Sequence, residues 1–358
     1  MNIIQLVPHL PPLATGIGDY SVEIARKLLE NQNIFTHFIT YELWFSEYVK
    51  EHPYIDQFPV KRLKEHGSDH FLSLLPDKFE GVILHYNFVE RQETALWLLH
   101  NLRIARKKHN FKLVVMFHEL TTSFKRKGLN LPAPKHIFSC LSTGMMADSI
   151  VTNNSISQTY LSKWLRRKVF CLPNFSNIGE PSHIPSLSER NRTIIVFGSK
   201  SRRSVYQKFS QELSECCKIL EIEKIYDIGP SCGVSFSDLP EMPIVEMGIQ
   251  QQEVISELML TSFAGFVDYS HSLGKLGKST IFAAYCSHGL LPINSVDNCS
   301  QFDGLEVNKN YVLPSKQLQS LNFQQLDEIA NNAHKWYGKH SLDKVVEIFA
   351  SCLCDNKV

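Results

Sequence analysis

No run of about 18 apolar residues occurs in the chain, so the sequence offers no membrane-spanning helix. Peripheral membrane contact stays open. Charge of one sign is equally lacking: Lys+Arg number 37 and Asp+Glu 36, a formal net charge of +1 over 358 residues. No global field then recruits nucleic acid or an acidic membrane, and nucleic acid is not expected as a partner. Any anion must be bound locally. The nine cysteines form no C-x-x-C pair and join no histidine cluster at zinc spacing, so neither a disulfide framework nor a metal site is expected. No cofactor is implied either. This scatter suits a reducing cytosol, and the chain passes from Met1 straight into a strand-like run, Asn2 to Pro8, without the charged and apolar regions of a signal peptide. The expected location is cytoplasmic. Low-complexity tracts and short tandem repeats are also missing.

What the chain does have is alternation. Short β-branched or apolar runs bounded by turn residues alternate with stretches of helical periodicity, the pattern of βα units and a parallel sheet. The pattern occurs twice, which suits 358 residues at roughly 100–200 per domain. Strands are expected in the first half at residues 3–7, 35–40, 81–86, 112–118, 149–153 and 169–173, with packing helices from Tyr20 to Asn31 and Glu93 to His109. Polar, proline-bearing NFSNIGEPSHIPSLSERN then reads as an interdomain linker. In the second half strands are expected at residues 193–198, 224–229, 243–248, 263–269, 290–294 and 311–314. Helices are expected over Val205–Glu221, Gln251–Thr261, Thr280–Ser287, Phe323–His340 and Leu342–Cys352. The division is a Rossmann-like domain over 1–178, a linker over 179–191, a second Rossmann-like domain over 192–322, and helices over 323–358 that return to the first.

Four segments carry chemistry. The loop PHLPPLATGIGDYS follows the first strand, and Gly16 and Gly18 let backbone N–H groups approach an anion at a helix start. Its G-x-G-x-x-S spelling, with Ser21 last and Glu42 ending the next strand, is no dinucleotide fingerprint, because His9 to Thr15 separate the glycines from the strand. A surface loop without ligand is the alternative. His118 ends the strand FKLVVMFHEL, where ligands collect at the carboxyl ends of parallel strands, and a histidine there can donate to a sugar hydroxyl or be structural. His85 and Asn87 end another strand and could line the same site. In FGSKSRRS a strand ends at Gly198 and Lys200, Arg202 and Arg203 precede a helix, which suits a diphosphate or a solvated basic loop. In SHSLGKLGKST the P-loop end is present but its first glycine is Ser272. That loop reads as a helix start where Lys278, Ser279 and Thr280 face a phosphate, or as a plain helix cap. The basic triplets Lys125-Arg126-Lys127 and Arg166-Arg167-Lys168 suit an anionic acceptor, a lipid surface or solvated loops.

In their order these segments resemble the retaining GT-B glycosyltransferases of the family 4-like, group 1 kind. The glycine loop resembles PLATGIGDYSVEIARKL, the histidine strand end VVMFHEL, the pre-linker strand VFCLPNFSN, the second-domain opening IIVFGSKSRRS, and the donor segment DYSHSLGKLGKSTIFAAYCSHGLLPI. The resemblance implies an α/β GT-B fold, two Rossmann-like domains with parallel sheets facing across a cleft. It implies metal-independent, retaining transfer of a hexose from a nucleotide-diphosphate sugar to an acceptor that is a saccharide, lipid or small molecule. Under it His118 contacts the sugar, and Gly16, Gly18, Arg202, Arg203, Lys278, Ser279 and Thr280 hold the nucleotide sugar. One departure is plain: no glutamate lies between Glu257 and Glu306, where the family carries an E-x7-E pair, and Asp268, Lys278 and Ser279 are the substitutes at hand. That departure motivates a second reading, a degenerate GT-B protein that binds a ligand or partner without turnover.

Overall fold

A computed structural model describes residues 1–12, 16–42, 53–87, 92–120, 123–126, 129–132, 134–236, 243–270, 274–297, 301–314 and 316–354. The chain forms two compact units, Met1–Leu172 with Leu342–Val358, and Pro173–Ser341. The first contains β1 (Asn2–Val7), α1 (Gly16–Gln32), β2 (Phe35–Thr40), β3 (Tyr54–Ile55), β4 (Phe58–Arg62), α2 (Ser68–Leu74), β5 (Gly81–Tyr86), α3 (Gln92–Lys108) and β6 (Lys112–Phe117). It continues with β7 (Ser123–Arg126), β8 (Leu129–Pro132), α4 (Pro134–Met146), β9 (Ser149–Thr152), α5 (Ser155–Leu165) and β10 (Phe170–Cys171). Its sheet runs β10-β9-β6-β5-β1-β2-β4-β3, parallel except where β3 meets β4, and β7 and β8 form a separate antiparallel pair.

The second unit contains β11 (Asn191–Phe197), α6 (Arg203–Gln207), α7 (Ser210–Ile219), β12 (Lys224–Ile228), β13 (Ile244–Gly248), α8 (Gln252–Thr261), β14 (Ser262–Val267), α9 (Thr280–Ser287), β15 (Leu291–Asn294) and α10 (Phe323–Tyr337). Its separate, all-parallel sheet runs β13-β12-β11-β14-β15. In each sheet the strand order reverses beside the unit's first strand, and the carboxyl ends of the strands at such a switch point are where ligands settle. That point lies between β1 and β5 in one unit and between β11 and β14 in the other.

Helices cover both faces of a parallel sheet, so its strands read as unbroken apolar runs. Every residue of GVILHY in β5 and of SFAGFV in β14 is buried. The flanking helices are amphipathic: α1 buries Tyr20, Val22, Ile24, Ala25 and Leu28, while Glu23, Arg26 and Lys27 carry its outer face. The last helix, α11 (Leu342–Leu353), packs on α1 and β6 through an apolar stripe that includes Val345, Val346 and Phe349. Asn31 Nδ2 donates to Asp343 Oδ1 at 2.8 Å across that contact. Thus α11 belongs to the first unit and α10 to the second.

Three local expectations differ. The helix expected over Val205–Glu221 breaks at Lys208–Phe209, where the N–H groups of both residues reach the Ser204 carbonyl and Phe209 turns into the core. YVLP makes only an isolated bridge, Ile293 to Val312. The segment read as a linker is fastened to the second unit: Gln252 Nε2 donates to Asn177 O at 2.8 Å, and Arg190 is buried with its donors on the carbonyls of Pro185, Met259, Ser262 and His288.

Candidate active site

In the first unit the switch point gathers β1, β5, β6 and the start of α1. Gly16 and Gly18 lie inside the first turn of α1, and the loop residues 13–15 before them lie outside the described residues. A Cβ at Gly16 would meet nothing within 4 Å, so packing does not require glycine there. The first N–H groups of a helix have no partner within the helix and carry partial positive charge, so this turn can receive an anion.

His118 follows β6 and is 5% exposed, with its N–H on the Tyr86 carbonyl at 3.1 Å. Its Nε2 lies 3.0 Å from His85 Nδ1, and His85 Nε2 lies 2.9 Å from Gln5 Oε1. The two imidazoles stack with planes 18° apart, and Tyr20 of α1 stands edge-on to both. Burial pushes His85 down to about 3 and so favours its neutral ring. His85, read from sequence only as a strand-end companion, is therefore joined to His118. Gln5 was missed, although a single amide within the apolar run IIQLV is a signal: a buried amide needs partners.

In the second unit the outcome for the basic segment is a correction. Arg202, expected on the diphosphate, is 3% exposed. Its Nε and Nη2 pair with Asp227 Oδ1 and Oδ2 at 2.8 and 2.9 Å, Nη2 also donates to Pro230 O at 3.0 Å, and Nη1 donates to the carbonyls of Gly198 and Ser199. All five N–H donors of the guanidinium are spent inside this unit, so none remains for a phosphate. The glycines that end β11 and β12 serve the same hub. Gly198 and Gly229 have φ of +135° and +139°, and a Cβ at Gly229 would lie 2.2 Å from Arg202 Nη1. Tyr206 Oη completes it with a hydrogen bond to Asp227 Oδ1 at 2.8 Å. The lone carboxylate in KIYDIG was the missed signal. Arg203, by contrast, is exposed and turns along α6 to Gln207 Oε1 at 2.9 Å.

The donor segment shows both of its readings at once. Lys278 ends a single 3-10 turn, and Ser279 caps α9 by accepting from Phe282 N at 3.1 Å. Its O–H still donates, and Thr280 opens the helix. Gly277, however, gives its missing Cβ to Asp303, whose Oδ2 would lie 2.8 Å from it, so its smallness serves packing. Asn174 ties the turn in place through Gly277 O at 3.0 Å and Lys278 O at 2.7 Å. Beyond β14, Asp268 Oδ1 accepts from Ser270 N at 2.9 Å and Ser295 Oγ at 2.7 Å. Burial would raise that carboxyl, but hydrogen bonds from Ser204, Ser270 and Ser295 outweigh it and hold the group ionised below its ordinary range. Ser272, the position that breaks the P-loop pattern, lies outside the described residues. Of the basic triplets, Arg167 is committed to the carbonyls of Gly144, Ala147 and Asp148, and Lys127 lies outside the described residues.

No protein-family model and no curated protein matches the sequence. Solved structures do match over nearly its whole length. HepE from Anabaena in complex with UDP-glucose is 14% identical with a TM-score of 0.61, covering 99% of this chain and 100% of its own. A glycosyltransferase from Rickettsia africae is 12% identical with a TM-score of 0.64, covering 98% of this chain and 97% of its own. An alpha-glucosyltransferase in complex with UDP-glucose and DNA containing an abasic site is 12% identical, with a TM-score of 0.57 and 98% of each chain covered. The fold is therefore α/β of the GT-B glycosyltransferase kind, as the resemblance implied. The exclusion of nucleic acid drawn from the net charge of +1 does not stand. The alpha-glucosyltransferase is seen with DNA that contains an abasic site or an HMU base. Net charge measures only the far field, and a local surface of the same fold can take DNA. Among the described residues no helix is long and apolar enough to cross a membrane.

Proposed function

We propose that this protein is a glycosyltransferase that moves a hexose from a nucleotide-diphosphate sugar to an acceptor, without a metal and with retention of anomeric configuration. The observation that carries the reading is the likeness of nearly the whole chain to solved structures that hold UDP or UDP-glucose. UDP is accordingly the first nucleotide to test. In the second unit Lys278, with Ser279 and Thr280 at the start of α9, takes the diphosphate, and Arg203 adds an exposed cation from α6. As the leaving diphosphate gains charge, a cation and a helix start already in place stabilise it without reorganising. In the first unit the α1 turn at Gly16 and Gly18 receives an anion, and His118 hydrogen-bonds a sugar hydroxyl. Asp268 supports the reading as an ionised acceptor in a segment that lacks glutamate.

The test is a ligand panel in thermal unfolding, followed by product analysis. A nucleotide at 100 times its dissociation constant stabilises by about 2.7 kcal/mol, so UDP or GDP should raise the midpoint, and ATP with magnesium should not. Incubation with UDP-glucose and EDTA should release UDP and an α-linked product visible by NMR. Stabilisation without any release of UDP would instead support the binder without turnover, which the missing glutamate pair motivates.

A further inference from the structure

We propose that the outward side of α4 and α5 in the first unit is a docking surface for an anionic lipid bilayer, entered by apolar side chains and held by the cations around them. The surface lies outside the candidate active site, and the proposal does not depend on the transferase reading. Its first support is that α4 is built inside out. The helix buries His136, Ser139, Cys140, Ser142, Thr143 and Gly144, nearly all small or polar, while Phe138 is 61% exposed and Met145 68%. Pro134, Phe138, Leu141 and Met145 follow one another at spacings of four, three and four, which sets them in one stripe along the helix, and each is exposed or half-buried. A surface helix ordinarily gives such a stripe to charged and polar residues. Tyr160 of α5, 49% exposed, stacks on Trp164 with ring centroids 5.4 Å apart. Among the described residues, three of the eight exposed large apolar side chains therefore stand on these two helices, a patch and not a scatter. The helices turn the same way: Cys140 of α4 and Leu161 of α5 enter one core cluster, and Arg167, beyond α5, donates to the Gly144, Ala147 and Asp148 carbonyls at the end of α4.

The second support is charge, which the net value of +1 conceals. Between Glu93 and Glu180 the chain carries thirteen Lys and Arg against two acids, Glu119 and Asp148, so the remainder holds ten more acids than bases. Lys135 stands three residues before Phe138 and Lys163 three after Tyr160, with Arg166 and Lys168 following α5, and all four cations are exposed. Asp148, the one acid between Glu119 and Glu180, is paired with Arg106. Together the two supports select the occupant. A nucleic acid would engage the cations and leave the apolar stripe in water. An anionic bilayer takes both, the rings and the thioether at the headgroup boundary and the cations among the lipid phosphates.

Sedimentation with vesicles tests this. The full chain should bind equimolar phosphatidylcholine and phosphatidylglycerol at least about tenfold more tightly than phosphatidylcholine alone. Phe138→Ser with Met145→Ser should weaken that binding about tenfold, whereas Phe138→Leu with Met145→Leu should keep it. Lys163→Ala with Arg166→Ala should weaken it about thirtyfold, at about fivefold per cation. These side chains are exposed, so every variant should unfold at the parent's midpoint. No preference for the anionic vesicles, or binding that survives the loss of Phe138 and Met145, overturns the proposal. So does duplex DNA that binds better than the vesicles and displaces them, which would make the cations a nucleic-acid site. A concentration-dependent dimer abolished by Phe138→Ser would overturn it as well, with a second copy of the chain as the occupant.

Discussion

The two units build their polar clusters on opposite sides of their first strands and from different chemistry: the first joins β1, β5 and the end of β6, the second joins the end of β11 to β12. In the first, Gln5, His85 and His118 form a buried hydrogen-bonded chain of one amide and two imidazoles. In the second, Arg202 and Asp227 form a buried ion pair with Tyr206 and three carbonyls around it. A guanidinium whose five N–H groups are all paired is finished with bonding. Arginine at a strand-to-helix turn is thus no evidence of an anion site until its donors are counted.

The comparison breaks most severely at Asp227. Asp227→Ala strands the Arg202 cation in the interior, and removing one partner of a buried pair costs about 3–5 kcal/mol. Urea unfolding should show that loss, whereas Gln5→Leu in the first unit should cost only about 1–3 kcal/mol because no charge is stranded. Equal losses would end the contrast. Next comes Lys278→Ala, which removes a charged hydrogen bond of about 1.5–3 kcal/mol and should weaken UDP binding about tenfold to a hundredfold by calorimetry. Arg202→Lys should unfold more readily, yet any nucleotide effect should only follow that loss of structure.

Acid sharpens the contrast further. Burial lowers His85 to about 3, His288 to about 4 and His340 to about 3 from 6.5. Between those folded values and 6.5 only the unfolded chain takes up the protons, so stability is unaffected above that window and falls as pH drops through it. Each histidine contributes about 1.4 kcal/mol per pH unit there. His85→Phe should flatten the acid limb of the stability profile by about that slope, and an unchanged limb would mean His85 already binds its proton when folded. The smallest effect is expected at Ser279→Ala, where loss of the α9 cap costs about 1 kcal/mol in unfolding experiments while Thr280 keeps the helix start polar.

Much of this is legible in the sequence. Alternating apolar runs and helical stretches located all five strands of the second sheet and six strands of the first. Strands β3 and β4 escaped because Pro59 and the charged Lys61-Arg62 blur their pattern, and α4 and α5 escaped because serine and threonine dilute their apolar face. Among the candidate site residues, His118 is singled out by the sequence because strand ends in parallel sheets are where ligands sit.

By itself the sequence determined the fold class, the two separate sheets and the positions at which polar side chains reach their carboxyl ends, because side-chain periodicity is a local property that each segment carries alone. Only the tertiary structure decided which of those side chains remain available. Arg202 is spent on Asp227, 25 residues away, and on carbonyls of neighbouring turns. Gly277 is small for the sake of Asp303. Donors, acceptors and volume are satisfied by whatever the fold brings alongside, and that company is written across distant segments and not within any one of them.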